Sequence, residues 1–258
     1  MATTVTDSTK NLSSNQLSNN ILEQVYISQL LINLNPNELY SIHRHEFYNK
    51  NDDINSLFKN YHQNIRRFKG KISEFMLTLL AGAPHLICLI EYHLKNYEID
   101  PTPISKYKLG AKYCRKKLKN GGVCIYIHET LKFTNINLQK HCKEQDIQIA
   151  AVQLKLNKKN VIIFCIYRAP SGDFDYFLNK MDNILNFLHN YKSNFIICGD
   201  ININYLGTNI KNKQLDNLLA TYNPTGTVYF PIRRANNSIT SLDNIFVDNT
   251  RNTPYNRA

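Results

Sequence analysis

Long apolar runs are missing from this sequence: nowhere do 18 or more apolar residues follow one another, so no membrane-crossing helix is predicted. The opening stretch MATTVTDSTKNLSSNQ has neither the basic start nor the apolar centre of a secretory signal, and the expected setting is intracellular. Paired cysteines are missing too. All six cysteines stand singly, with no C-x-x-C and no histidines at matching spacing, so no structural zinc is expected. Cys88, Cys124, Cys165 and Cys198 lie inside apolar runs, where a free thiol packs as a small hydrophobe. No repeat appears, and no G-x-G-x-x-G follows the first strong strand, which disfavours a purely parallel dinucleotide-binding sheet.

Acidic residues are scarce beyond the first 60 positions. Residues 1–60 hold four Lys/Arg and six Asp/Glu, which leaves 27 of the 31 basic and 14 of the 20 acidic residues for the rest. The densest cluster is KYCRKKLKN (112–120), with Arg115, Lys116, Lys117 and Lys119, while Arg66, Arg67, Lys69 and Lys71 form a second. Such a surface attracts a phosphate-rich partner with an affinity that falls as salt rises. The plain alternative is a solvated basic loop that keeps the protein soluble.

At 258 residues and 43% hydrophobic, the chain is long enough for one large domain or two small ones. Residues 1–57 read as a polar, largely flexible leader rich in Ser, Thr, Asn and Gln, with one helix predicted in NILEQVYISQLLINLN (20–35). Residues 58–258 read as the folded domain. There, β-branched and aromatic runs predict strands over 85–91, 122–128, 147–156, 160–167, 194–200 and 241–247. Phe174, Phe177, Leu178, Met181, Ile184, Leu185 and Leu188 form one stripe of a long helix, and further helices are predicted over 70–81 and 212–222. Only NKK separates two of the strands, a hairpin connection that makes the sheet antiparallel there. The fold class is α/β, with sheets packed on each other and helices outside.

Polar groups gather where the apolar runs stop. Glu91 closes HLICLIE, Tyr167 and Arg168 close VIIFCIY, Asp200 and Asn202 follow FIICG, Asn64 sits in YHQNIRR, and Asp243 lies inside SLDNIFV. Each alone reads as a turn or capping residue. An aspartate within a strand must point to water or be paired, and convergence of the whole set at one sheet edge is the economical explanation. Carboxylates with a neutral amide suit a hard cation such as Mg²⁺, and a further carboxylate can activate water for attack on phosphorus.

The blocks HQNIR, CLIEYHL, GGVCIYI, IYRAPSG, CGDININ and SLDNIFV occur in the order and approximate spacing of the endonuclease/exonuclease/phosphatase superfamily. They most resemble the apurinic-endonuclease-like domain that precedes reverse transcriptase in non-LTR retrotransposons. That resemblance implies a four-layer α/β sandwich acting on DNA as a monomer with Mg²⁺ (or Mn²⁺), in the nucleus. It implies Glu91 as the principal metal ligand with Asn64 beside it on metal or phosphate, Asp200 as the group that orients and activates water, Asn202 as a hydrogen-bond donor to the scissile phosphate, Tyr167 as a holder of a phosphate oxygen or the leaving group, and Asp243 as the partner of a catalytic histidine. Arg66, Arg115, Lys116, Lys117, Lys119 and Arg168 are the expected nucleic-acid contacts. In relatives the histidine follows in an S-D-H motif; the sequence stops at Ala258 before such a motif, so the last strand is expected to be missing. Arg67 also stands where relatives have a glycine, which is expected to disturb the loop carrying Asn64. Three readings stay open: an active endonuclease, a non-catalytic DNA-binding remnant, or a hydrolase of another phosphate ester.

Overall fold

Short apolar runs alternating with helical stripes give two stacked sheets with helices on their outer faces. The computed structural model describes residues 22–27, 43–49, 58–156, 159–190, 193–222, 224–226, 233–235 and 238–248. In chain order the elements are β1 (Leu22–Ile27), β2 (His43–Asn49), β3 (Phe58–Asn64), α1 (Ile72–Gly82), β4 (Leu86–Ile90), α2 (Asn96–Ile99) and β5 (Tyr107–Tyr113). Then come β6 (Val123–His128), β7 (Lys132–Ile136), β8 (Gln148–Leu156), β9 (Lys159–Tyr167), α3 (Phe174–Asn190), β10 (Asn194–Asp200) and α4 (Ile210–Tyr222). The last are β11 (Pro224–Gly226), β12 (Arg233–Ala235), β13 (Ser238–Thr240) and β14 (Asp243–Asp248).

The first sheet runs β1-β2-β3-β4-β6-β5 and the second β11-β14-β10-β9-β8-β7, while β12 and β13 pair apart from both. Both are mixed: β3 and β4 are parallel, as are β9 and β10, and β8 and β9 are antiparallel as the short NKK connection predicts. Between the sheets, Cys88, Ile90, Val123 and Ile125 of the first meet Ala150, Val152, Ile163, Cys165, Cys198 and Ile245 of the second. Central strands are therefore buried on both faces, which is why they read as unbroken apolar runs.

Helix α3 starts where the Asp173 carboxylate accepts the Tyr176 N–H at 3.0 Å, an N-terminal cap. Its stripe of Phe174, Phe177, Met181, Ile184, Leu185 and Leu188 is buried on the outer face of the second sheet, against Phe164, Ile166, Phe195 and Ile197. Each such side chain contributes about 1.5–3 kcal/mol of burial. On the first sheet, Phe75 and Leu79 of α1 pack with Phe68, Ile87, Leu89 and Tyr126. The result is the α/β sandwich of four layers. No helix among the described residues is long and apolar enough to cross a membrane.

The leader helix is corrected in part: Leu22–Ile27 is a strand paired antiparallel with β2, and the rest of residues 20–35 lies outside the described residues. A six-residue segment gains more by pairing its backbone with β2 than a marginal isolated helix gains alone. Strands β3, β5 and β7 carry no apolar run, and nothing in the hydropathy pattern marks them.

Gly199, just before Asp200, shows how closely the second sheet is packed. A Cβ there would lie 2.7 Å from the Ile166 carbonyl oxygen on β9, an atom of the backbone that cannot swing away. Gly199→Ala is expected to cost about 1–3 kcal/mol of stability, read as a lowered urea midpoint.

Candidate active site

The second sheet ends in a polar row. Gln148 pairs with Tyr167, Tyr167 with Asp200, and Asp200 with Asp243 on four neighbouring strands. All four share the parity of the residues that face the first sheet. Opposite them, β3 ends in Asn64, in register with Ile90 of β4, and Glu91 follows at once. Both sheets thus deliver their polar strand ends to one edge, and the predicted set from Asn64 to Asp243 comes together there.

Asn64 joins the two sheets. Its Nδ2 donates to Glu91 Oε1 at 3.2 Å and to Asp200 Oδ2 at 2.9 Å, so one amide holds both carboxylates. The Asn202 N–H donates to Asp200 Oδ1 at 3.0 Å, while Asn202 Nδ2 donates to the Arg168 carbonyl at 2.7 Å. The buried Tyr167 hydroxyl hydrogen-bonds to Glu91. Arg66 Nε lies 3.6 Å and His93 Nε2 3.5 Å from Glu91 Oε2.

These neighbours drive the two carboxylates apart. Burial pushes Asp200 up to about 6, with the Glu91 charge adding to the rise and the Asn64 and Asn202 hydrogen bonds opposing it. Burial acts the same way on Glu91, but His93, Tyr167, Asn64 and Arg66 outweigh it and hold Glu91 below the ordinary carboxylate value. Burial, reinforced by Glu91 and Asp200, raises Tyr167 far enough to keep its phenol protonated and able to donate.

The backbone is strained at the same place. Glu91 (φ 51°), His93 (φ 60°) and Asn202 (φ 54°) are all left-handed, as are Arg66 (φ 35°) and Arg67 (φ 69°). Outside glycine this conformation costs roughly 1–2 kcal/mol per residue, and it persists where surrounding bonds over-determine it. Here Ile65, Arg67 and Phe68 donate their N–H groups to the carbonyls of Ile90, Glu91 and Tyr92. Arg67 takes the left-handed angle that glycine tolerates best, and Asn64 in the same loop reaches both carboxylates.

The expected nucleic-acid contacts divide. Lys116, Lys117 and Lys119 are exposed, and Arg66 is half-exposed beside Glu91. Arg168 is 1% exposed, so its side chain offers no surface to a nucleic acid. Its guanidinium donates to the carbonyls of Ile201, Asn202, Ala169 and Gly172, four loop acceptors that fold the strand-end turns around it. Arg115 also turns inward, 9% exposed, with its guanidinium 5.6 Å above the Tyr167 ring. His93 is the site residue that the sequence reading missed; a Glu-x-His step directly after a strand was its available signal. His128 and His189 sit away from the site, beside Thr130 and Tyr222.

The donor set suits a hard divalent cation. Asn64 Oδ1 is buried and accepts no hydrogen bond, although it stands among two carboxylates. An orphaned acceptor in that company fits a cation ligand, and an all-oxygen set favours Mg²⁺ or Mn²⁺. Among the described residues no three His, Cys, Asp or Glu side chains form a ready-made cage. Mg²⁺ commonly binds one or two carboxylates and keeps several waters.

No curated protein matches the sequence. Among solved structures, the endonuclease domain of TRAS1, a telomere-specific non-LTR retrotransposon, superposes with a TM-score of 0.56 at 13% identity, over 74% of this chain and 84% of that one. The AP endonuclease LMAP from Leishmania major gives 0.56 at 16% identity, over 75% and 79%. An AP endonuclease from Archaeoglobus fulgidus gives 0.51 at 12% identity, over 74% and 86%. At such identities the likeness is one of fold, and it agrees with the resemblance carried by the six sequence blocks. Residues 50–255 match the profile of the Endonuclease/Exonuclease/phosphatase family, most of the chain and all of the site just described. The chain belongs to that family.

Proposed function

We propose that this protein is a divalent-metal-dependent phosphodiester hydrolase that nicks DNA, an endonuclease of the non-LTR retrotransposon kind. The observation that carries the reading is the Asn64 amide bridging Glu91 and Asp200 across two sheets, with Tyr167 and Asn202 on either side. Glu91 and Asn64 Oδ1 would hold the cation, whose chemistry is to offset charge on the phosphoryl oxygens. Asp200, ionised at neutral pH yet reluctant to be, takes the proton of the attacking water as its oxygen bonds to phosphorus and the phosphorus–oxygen bond to the leaving sugar breaks, the freed sugar oxygen taking its proton from solvent. The second N–H of Asn202 donates to a phosphate oxygen, and the Tyr167 hydroxyl, whose one proton goes to Glu91, can turn from it to do the same. Arg168 holds the turn that presents Asn202.

The test is conversion of supercoiled plasmid to open circles by purified protein, in Mg²⁺ and in EDTA. Nicking in Mg²⁺ alone supports the hydrolase reading. A folded protein that retains plasmid in a salt-sensitive way without nicking it would establish the non-catalytic DNA-binding alternative instead.

A further inference from the structure

The segment from Arg115 to Gly122 bridges β5 and β6 beside Glu91, whose N–H donates to the Gly122 carbonyl. A loop this basic is ordinarily solvated and mobile, yet its backbone is held from three sides. The Glu144 carboxylate accepts the N–H groups of Lys116 (2.6 Å), Lys117 (2.9 Å) and Leu118 (2.7 Å). Lys95 Nζ donates to the carbonyls of Arg115, Lys116 and Leu118. Gln148, buried on the second sheet, accepts the Gly122 N–H at 2.7 Å and donates to the Glu144 carbonyl. Arg115 Nη1 reaches the Lys119 carbonyl, and the inward guanidinium fills the space that a Cβ at Gly121 would occupy.

What this scaffolding leaves outside is three lysines and an apolar side chain. Lys116, Lys117 and Lys119 are exposed, Leu118 between them is 42% exposed, and Tyr97 on the neighbouring α2 is 77% exposed. Lysines carried on a fixed backbone match a phosphate backbone, and a leucine projecting among them matches a base step that can be partly unstacked. Solubility alone requires neither the fixed backbone nor the exposed leucine.

We propose that loop 115–121 is a preorganised grip for duplex DNA, with the lysines on phosphates and Leu118 wedged at a deformable step. Glu144 is the positioning residue that shapes it. This rests on the DNA-hydrolase reading for its choice of nucleic acid, and it makes an electrostatic forecast of unusual sign. Removing a carboxylate near a polyanion ordinarily strengthens binding; here an amide in its place leaves one of the two acceptor oxygens for three backbone N–H groups and sets an NH2 donor against the rest, which loosens the grip, so binding weakens.

The experiment is fluorescence anisotropy of a labelled duplex in EDTA, so that turnover plays no part, with wild type, Glu144→Gln and Leu118→Ala. Glu144→Gln is expected to weaken duplex binding about 10-fold. Leu118→Ala is expected to weaken it about 3-fold, most for duplexes with flexible pyrimidine–purine steps, without changing the salt slope. Equal or tighter binding by folded Glu144→Gln overturns the proposal. Where that variant melts below the assay temperature, Leu118→Ala decides, since it leaves the backbone bonds in place. Single-stranded DNA or RNA bound as tightly as duplex, with no effect of Leu118→Ala, also overturns it, as does wild type that binds no duplex. Duplex binding that responds as forecast by a protein that nicks nothing would sink the hydrolase reading and leave the grip standing.

Discussion

Asp200→Asn is expected to abolish nicking while making the metal-free protein more stable. Loss of a general base costs about 10²–10⁴ in rate, and the amide that replaces it has no comparable affinity for a proton. The stability gain follows from burial. A carboxyl held near 6 instead of its ordinary 3.8 is less favourable as an anion inside the protein by about 3 kcal/mol. Because the folded value is the raised one, the stability that Asp200 lends is full below the ordinary value and is lost as pH rises through about 6. Denaturation in EDTA should show the variant and wild type close together near pH 4, with the variant ahead by up to about 3 kcal/mol at neutral pH. The lost Asn64 or Asn202 hydrogen bonds subtract from that ceiling. Equal midpoints at neutral pH would mean that Asp200 is not under this strain.

The same environment sets the pH dependence expected of the proposed reaction. Asp200 must be ionised to accept a proton, so the rate falls on the acid side. A cation held by Glu91 and Asn64 would favour the ionised form, which places the acid limb in Mg²⁺ at or below about pH 6.

Much of this architecture is legible in the sequence because a four-layer sandwich buries its central strands on both faces. Strands β4, β6, β8, β9, β10 and β14 announce themselves as apolar runs, and Glu91, Tyr167, Asp200 and Asn202 are visible where those runs stop. Strand β3 fails the same test for a physical reason. Its inner face carries Asn60, His62 and Asn64, with Asn60 and His62 fully buried, and Asn60 Nδ2 contacts Cys198 Sγ at 3.0 Å on the opposite sheet. No periodicity of apolar residues reveals a strand whose buried face is polar. Strands β5 and β7 fail because they are edges, half-exposed and mixed in composition.

Arginine placement is a different failure. Composition groups Arg115 with its lysine neighbours and Arg168 with the active-site tyrosine, but the interior takes both side chains. What decides is where carbonyl oxygens converge: Ile201 and Asn202, from a turn distant in sequence, join the nearby Gly172 around Arg168, and the nearby Lys119 lies beside Arg115. Only the assembled fold brings those acceptors together. The charge count is therefore right about a basic protein, and silent about which basic groups can meet a phosphate.

Glu91→Gln is the second substitution with a large expected effect, because in the proposed reaction the two carboxylates divide the work through their surroundings. Glu91 is ringed by donors that favour its charge, whereas Asp200 is desolvated and repelled by that charge. Such opposed environments assign an anchor and a base to chemically similar groups. With the anchor neutral, the Mg²⁺ concentration for half-maximal nicking should rise by at least about 10-fold. The residual activity should also extend to lower pH, since Asp200 no longer faces the Glu91 charge and ionises more readily. Burial remains, so the acid limb moves only part of the way to the ordinary value. A Mg²⁺ requirement unchanged by Glu91→Gln would remove Glu91 from the metal. A changed requirement with an unmoved acid limb would separate Asp200 from the proton transfer.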